Sequence, residues 1–142
     1  MRKYFISLLF ICSFATAQEV SKNKSAVLAS VEKHQQELIN LSDQVWAFAE
    51  TAMRETQSSK VLADYAEAQG FKVTRGVAAI PTAFIAEYGS GKPIIGVLGE
   101  FDALPGLSQK AQPVKEALKK DAPGHGCGHN MFGAGSLGAA LS

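Results

Sequence analysis

The sequence predicts an α/β domain with a mixed sheet, and three observations lead to this fold class. Residues 25–54 place apolar side chains at three- and four-residue steps, which is typical of one face of a helix. Residues 71–77 and 81–88 then alternate in polarity as strands do. Residues 93–99 are nearly all apolar, as expected for a strand covered on both faces. Helices followed by three strands indicate the α/β class.

The first helix is predicted from a stripe of apolar residues along one face. This stripe consists of Leu38, Leu41, Val45, Phe48 and Ala52. His34 lies at the edge of the stripe among charged and amide residues, which favours a structural histidine over a metal ligand. A second helix is predicted to begin at Ser58 or Ser59 as its N-cap and to stop at Gly70.

The connections follow from the residues between these elements. "GSGK", residues 89–92, predicts a tight turn, so residues 81–88 and 93–99 are expected to pair in antiparallel fashion. Residues 108–124 carry several lysines and predict a solvated connection with one short helix that begins at Pro113. Residues 131–142 predict a final helix of small residues. Within it, residues 133–138 spell G-x-G-x-x-G, but no strand precedes them directly, so close helix packing explains these glycines better than dinucleotide binding.

Length and charge narrow the range of functions. A chain of 142 residues predicts a single domain. The formal net charge is +1, and no basic stripe with interleaved aromatic residues is present. Nucleic acid and anionic membrane surfaces are therefore excluded as expected partners.

The N-terminus predicts a secretory signal peptide at residues 1–17. Arg2 and Lys3 precede the apolar residues 4–14, and the small-residue site "ATA" follows at positions 15–17. The apolar run is shorter than the about 20 residues that a helix needs to cross a bilayer. We therefore expect an exported chain, residues 18–142, that is secreted or periplasmic and has no membrane contact after cleavage. Cys127 would be its one cysteine, so an internal disulfide is excluded.

Two carboxylates follow the apolar segment 93–99. Glu100 and Asp102 are two residues apart, so both side chains point to the same side if the backbone stays extended. Charged groups are seldom buried without a partner or a metal ion, and open α/β sheets bind ligands at the carboxyl ends of their strands. This position favours a functional site over two solvent-exposed acids.

The stretch "DAPGHGCGHN", residues 121–130, contains the second set of candidate residues. His125, Cys127 and His129 alternate with glycines, so an extended loop presents their side chains to one side. Imidazole and thiolate are good zinc ligands, and this favours a metal loop. The alternative is Cys127 as a nucleophile with one of the histidines as its base. Residues so close in one loop are poorly placed for that activation, so the metal site is the preferred hypothesis.

Two long stretches resemble the aminoacylase/carboxypeptidase family of di-metal amidohydrolases. They are residues 80–109, "IPTAFIAEYGSGKPIIGVLGEFDALPGLSQ", and residues 124–140, "GHGCGHNMFGAGSLGAA". The resemblance covers about residues 41–141 and is nearest to the aminobenzoyl-glutamate hydrolase branch. It implies a three-layer α/β/α zinc-peptidase-like catalytic domain with two divalent metal ions, zinc or manganese. It also implies hydrolysis, by a metal-activated water, of an amide in N-acyl or aminobenzoyl amino acids or short peptides.

The same resemblance assigns roles to individual residues. Cys127 and His129 match metal ligands of this branch, and Asp102 matches the family's catalytic aspartate beside the site. Many relatives have a metal-binding histidine where this chain has Glu100, so its role as a ligand stays open. His125 matches no family ligand.

The family's general base and remaining ligands lie beyond the Cys-Gly-His motif. Because this sequence ends at Ser142 inside a predicted helix, residues 18–142 are expected to be the N-terminal part of a catalytic domain that is incomplete at its C-terminus. Such a fragment is expected to be inactive alone, and the full-length protein to be oligomeric. Two alternatives remain open: a non-catalytic metal-binding module, and a cysteine hydrolase that uses Cys127.

Overall fold

Three helices and a two-stranded sheet make up the structure, a computed structural model that describes residues 21–142. The helices are α1 (Lys22–Phe48), α2 (Thr56–Ala68) and α3 (His129–Ala140), and the strands are β1 (Lys72–Arg75) and β2 (Phe84–Glu87). The predicted signal peptide lies outside the described residues. Helices beside a small sheet are compatible with the predicted α/β class.

Helix α1 buries two members of the predicted stripe, Leu41 and Val45, whereas Leu38 and Phe48 are half-buried and Ala52 is exposed beyond the end of the helix. Leu41 and Val45 are 5% and 0% exposed, and His34 is buried as well. The Nδ1 atom of His34 lies 3.2 Å from the Tyr65 hydroxyl, so this histidine makes a structural contact that joins α1 to α2. The helix stops six residues before the predicted end, because Ala49 adopts a left-handed conformation with φ of 46°.

The N-cap position of helix α2 is Glu55, three residues before the earlier predicted cap, Ser58, and the side chain that caps this N-terminus belongs to Glu50. The carboxylate of Glu50 accepts hydrogen bonds from the backbone N–H groups of Gln57, at 3.0 Å, and Ser58, at 2.8 Å. Ser58 and Ser59 are buried inside the helix and are not its caps. Gly70, at φ of 89°, follows the last turn, which confirms it as the stop signal.

The sheet pairs different strands from those predicted. Strands β1 and β2 are antiparallel, with Lys72 opposite Glu87 and Arg75 opposite Phe84. A short 3-10 turn, Val77–Ala79, lies in the connection between them. Arg75 also forms ion pairs with Glu67, at 2.6 Å, and Asp64, at 2.9 Å, which link β1 to α2.

The predicted third strand and the mixed sheet are not formed among residues 21–142. In this part of the chain, residues 93–99 form no regular element and pair with no strand, and Ile94 and Ile95 are 86% and 82% exposed. A strand that is apolar throughout needs neighbours on both faces and both edges. The described residues do not supply these neighbours, because their sheet consists of β1 and β2 alone.

The connection from residue 104 to residue 128 contains no helix, so the predicted helix at Pro113 is wrong. The Gln109 side chain hydrogen-bonds to the carbonyls of Lys110 and Val114 and to the backbone N–H of Glu116. These are backbone groups that a helix would use itself, and the side chain thereby stabilises an irregular loop.

The core lies where the three helices meet the segment that follows residue 99. Its apolar members are Leu41, Val45, Leu62, Ala63, Ala66, Ala103 and Ala134. Ala103 is attached to the turn between α1 and α2, since its N–H donates to the Glu50 carbonyl at 2.7 Å. Among residues 21–142, no helix is both long enough and apolar enough to span a bilayer.

Candidate metal centre

The fold brings together two parts of the chain that the sequence analysis treated separately. Leu104 and Gly124 form an antiparallel bridge, with an N–H···O bond of 3.0 Å in each direction. This bridge returns the chain to the segment that carries Glu100 and Asp102. Helix α3 starts five residues later with His129, and its side chain reaches both carboxylates.

The bridge requires glycine at position 124. A Cβ atom there would lie 2.3 Å from the Leu107 carbonyl oxygen, which is closer than any side chain can approach. Gly124 therefore allows the loop to pass against residues 107–108, and this close passage sets the position of the residues that follow.

His129 lies between the two carboxylates. Its Nδ1 atom is 2.8 Å from Asp102 Oδ1, and its Nε2 atom is 3.1 Å from Glu100 Oε2. The side chains of His129, Asp102 and Glu100 are 18%, 27% and 48% exposed, so the cluster is half-buried with Glu100 at its open side. One ligand atom from each of the three residues lies within 4.8 Å of the others.

This donor set suits a divalent cation. When Nδ1–H donates to Asp102, the lone pair of Nε2 faces a Glu100 carboxylate oxygen that also only accepts. Two such acceptors 3.1 Å apart repel each other unless a positive charge lies between them, which is either the second proton of an imidazolium or a metal ion. Ligand atoms about 2.1 Å from one ion lie about 3.0–3.4 Å apart at angles from octahedral to tetrahedral. Imidazole with a carboxylate partner on its second nitrogen is also the common arrangement of a metal-binding histidine.

Helix α3 is held close to the carboxylates by small residues. A Cβ atom at Gly133 would lie 3.0 Å from the Glu100 carbonyl oxygen and 3.2 Å from Phe101 Cβ. The Ser136 hydroxyl donates to the Leu98 carbonyl at 2.5 Å. Two glycines of the G-x-G-x-x-G stretch, Gly133 and Gly138, thus permit the predicted close packing, whereas Gly135 faces open space in the described part of the chain.

Cys127 is not part of this cluster. The thiol is exposed. Among residues 21–142, the side chains close enough together to bind one metal ion are Glu100, Asp102 and His129. Cys127 also forms no hydrogen bond with His125 or His129 in this part of the chain, so the geometry shows no activated thiol. Its role as a metal ligand stays a prediction.

His125 points away from the cluster, toward α1. Its Nε2 atom lies 3.0 Å from the Val45 carbonyl oxygen. Burial lowers the pKa of His125, although the hydrogen bond to Val45 opposes this shift. The neutral imidazole is therefore favoured, with the proton on Nε2.

Sequence reasoning missed the contacts that attach this loop to α1. Asn130 is 8% exposed, and its Nδ2 donates to the Ser42 hydroxyl at 3.0 Å. Its position beside His129 was visible in the sequence, but nothing in the local pattern indicates a partner 88 residues away.

A cavity of about 450 Å³ also lies beside the loop, lined in part by Trp46, Leu107 and His125.

Comparison with known proteins finds a relative that is named as a hydrolase subunit. No protein-family model matches the sequence. Over 116 residues, 80% of this chain, it is 45% identical to one of the subunits of p-aminobenzoyl-glutamate hydrolase from Escherichia coli (strain K12). The chain is a relative of this hydrolase. The branch predicted from the motifs is thereby confirmed. The match covers 24% of the relative's length, so the chain spans about a quarter of that protein.

Proposed function

We propose that this protein hydrolyses an amide bond with the help of divalent metal ions, and that Glu100, Asp102 and His129 belong to its metal centre. The observation that carries the proposal is the position of His129, with a carboxylate oxygen within 3.1 Å of each ring nitrogen. The relationship to a protein named as a hydrolase supports the reaction type. The three-layer α/β/α domain implied by the motifs is part of the same proposal.

Each residue of the cluster has a chemical task in this proposal. Asp102 accepts the Nδ1–H of His129, which fixes the ring orientation and leaves the Nε2 lone pair free for a metal ion. Glu100 supplies a negative oxygen beside that lone pair. Bound divalent ions would polarise the amide carbonyl and activate water for attack.

Cys127 is proposed as a further ligand from the same loop. It is two residues before His129, and Gly126 and Gly128 on either side give the backbone freedom to turn the thiol toward the cluster. Zinc binding would keep the thiolate deprotonated. A thiolate favours zinc and carboxylates suit manganese, so these two ions are the proposed metals.

The proposed substrates are N-acyl or aminobenzoyl amino acids or short peptides. The relative's name specifies p-aminobenzoyl-glutamate, and this compound is the first substrate to test. The relative is named as one subunit of a hydrolase, which supports an oligomeric protein here.

Three residues are too few for a two-metal centre. Each zinc ion usually takes three or four protein ligands, and the cluster described between residues 21 and 142 offers only His129 and two carboxylates. We therefore propose that residues 18–142 form the N-terminal part of the catalytic domain and have no activity alone.

Export through residues 1–17 is proposed as well, and cleavage after Ala17 in a secreting host would be detected by N-terminal sequencing.

A chimera tests the proposed function directly. The 116 matched residues of the Escherichia coli relative would be replaced by those of this chain, and release of p-aminobenzoate from p-aminobenzoyl-glutamate would be measured. We expect hydrolysis that a chelator abolishes, that added zinc or manganese restores, and that His129→Gln removes. Glu32→Gln, a change on an exposed face of α1, is the control and should leave the rate unchanged.

Two alternatives predict different results in the same assay. A chimera that binds metal but cleaves no amide would favour a non-catalytic metal-binding module. Activity that survives the chelator but is lost on alkylation of Cys127 would identify a cysteine hydrolase.

A further inference from the structure

We propose that His125 and Asn130 are positioning residues that clamp the metal-binding loop, residues 124–130, onto helix α1. The inference rests on the proposed metal centre and adds the means by which its loop is held. Neither side chain lies in the cluster of Glu100, Asp102 and His129. Both side chains contact α1. Both would affect metal binding only by positioning Cys127 and His129, which lie between them in the loop.

The first contact joins His125 to the last turns of α1. The Val45 carbonyl accepts hydrogen bonds from His125 Nε2, at 3.0 Å, and from the N–H of Ala49, at 3.1 Å. A carbonyl oxygen only accepts, so the proton of the imidazole is on Nε2. The other nitrogen, Nδ1, is buried and has no partner among the described residues. The ring therefore makes a single directed contact, and that contact is with the helix.

The second contact joins Asn130 to the same helix. Asn130 is the second residue of α3, and its Nδ2 lies 3.0 Å from Ser42 Oγ and 3.5 Å from the Ser42 carbonyl oxygen. Its side chain is buried, so loss of the Ser42 contact would leave a polar amide without a partner.

The two contacts enclose the residues that the proposed centre needs. Ser42 and Val45 are three residues apart and so lie on neighbouring turns of one face of α1. Their partners flank Cys127 and His129 on either side. The Gly124 bridge and the start of α3 hold the loop at its two ends, and the His125 and Asn130 contacts add fixed points on either side of the flexible glycines. Fixed ends would keep the loop in the geometry that binds a metal ion, which is the effect that orienting partners have at metal sites.

Zinc affinity of the full chain measures the contribution of the His125 contact. We expect His125→Ala to weaken Zn²⁺ binding by about 10–100-fold, measured by competition with a chromophoric chelator. His125→Gln should recover most of the affinity, because its amide N–H₂ can donate to the Val45 carbonyl from nearly the same place. If His125→Ala weakened zinc binding only by destabilising the fold, His125→Gln would not restore the affinity simply by restoring the hydrogen bond to Val45.

The Asn130 contact is tested by a double-mutant cycle. Asn130→Ala and Ser42→Ala remove the same hydrogen bond, so each should weaken zinc binding and the double variant should be little worse than either single one. Thr82→Val is the matched control, since it removes a buried hydrogen bond of 2.8 Å, to Glu55, far from the loop in sequence. Its zinc affinity should equal that of the unaltered chain.

Amide hydrogen exchange of residues 124–130 without metal separates the clamp from the proposed function. We expect faster exchange there in His125→Ala and Asn130→Ala, and unchanged exchange in Thr82→Val. If the unaltered chain binds no zinc but shows this exchange pattern, the proposed function fails and the clamp stands. Unchanged exchange in both loop variants overturns the clamp, as does an equal loss of zinc affinity in Thr82→Val.

Discussion

Replacing Gly133 by alanine tests the packing that positions the metal centre. The new Cβ would lie 3.0 Å from the Glu100 carbonyl oxygen, 3.2 Å from Phe101 Cβ and 3.3 Å from Leu62 Cδ1. Two of these neighbours belong to the backbone segment that carries the carboxylates, which cannot yield as a flexible side chain would. The helix or this segment must therefore shift by a few tenths of an ångström.

The expected magnitude is a difference between two opposing effects. Alanine stabilises a helix by about 1 kcal/mol relative to glycine. Overpacking in a filled core costs about 1–3 kcal/mol. Gly133→Ala should therefore change the stability by between about zero and a loss of 2 kcal/mol. Gly135→Ala, on the same helix with no neighbouring atom of residues 21–142 within 4 Å of the new Cβ, should gain about 1 kcal/mol.

Urea denaturation of the two variants measures this difference. We expect Gly135→Ala to be more stable than Gly133→Ala by about 1–3 kcal/mol, with similar m-values. Zinc affinity should fall in Gly133→Ala alone, because its strain acts on the backbone of Glu100. Equal stability of the two variants would refute the close approach of α3 to residues 99–102.

Three further predictions concern other parts of the fold. Burial raises the pKa of Glu50, but hydrogen bonds from Ser58 and Gln57 outweigh it and hold the pKa below its ordinary value of 4.5. The ionised Glu50 cap therefore stabilises the folded chain fully above pH 4.5, and this stabilisation is lost as the pH falls below that value. The urea midpoint of Glu50→Gln should thus decline less on acidification than that of the unaltered chain. A decline as steep as that of the unaltered chain would contradict this cap. Burial, followed by the hydrogen bond to Glu37, raises the pKa of Tyr65 to about 12, so this phenol should ionise near pH 12 in an absorbance titration. Tyr65→Phe should remove that step, and a step near pH 10 in its place would contradict the contact. The 82% exposed side chain of Ile95 should bind a hydrophobic dye, and Ile95→Lys should lower the dye fluorescence while stability changes by less than about 0.5 kcal/mol. Undiminished fluorescence would show that the dye binds elsewhere.

The elements that depend on local pattern were predicted well. The stripe containing Leu41 and Val45 is the buried face of α1, and Gly70 follows the end of α2. The alternating residues 72–75 and 84–87 are strands. In each case the deciding interactions are those of neighbouring residues, which a sequence displays directly.

The failures concern partners that lie far along the chain. Residues 93–99 were predicted to pair with residues 81–88, but a uniformly apolar run gives no preferred face or register, and β2 pairs with β1 instead. The helix predicted at Pro113 is replaced by a loop that the Gln109 side chain stabilises. Neither competing contact has a signal in the local sequence.

The sequence indicated the members of the candidate site one by one, but not their assembly. Asp102 and His129 were both identified, and the structure brings them to 2.8 Å through the bridge at Gly124. Glu100, whose role the sequence left open, lies beside His129 as well. Cys127 was predicted as the ligand next to His129, and it is exposed outside the cluster. The orientation of a glycine-rich loop depends on anchors such as Asn130, which only the folded chain reveals.

Metal binding by the chain and two of its variants tests the central claim most directly. Equilibrium dialysis against Zn²⁺ and Mn²⁺ would be compared for the unaltered chain, His129→Gln and Glu100→Gln, with Glu32→Gln as a charge-matched control. We predict at least one ion bound per chain, with affinity reduced at least about tenfold in the first two variants and unchanged in the control. Equal binding by all four proteins, or no binding by the unaltered chain, would contradict a metal centre at Glu100, Asp102 and His129.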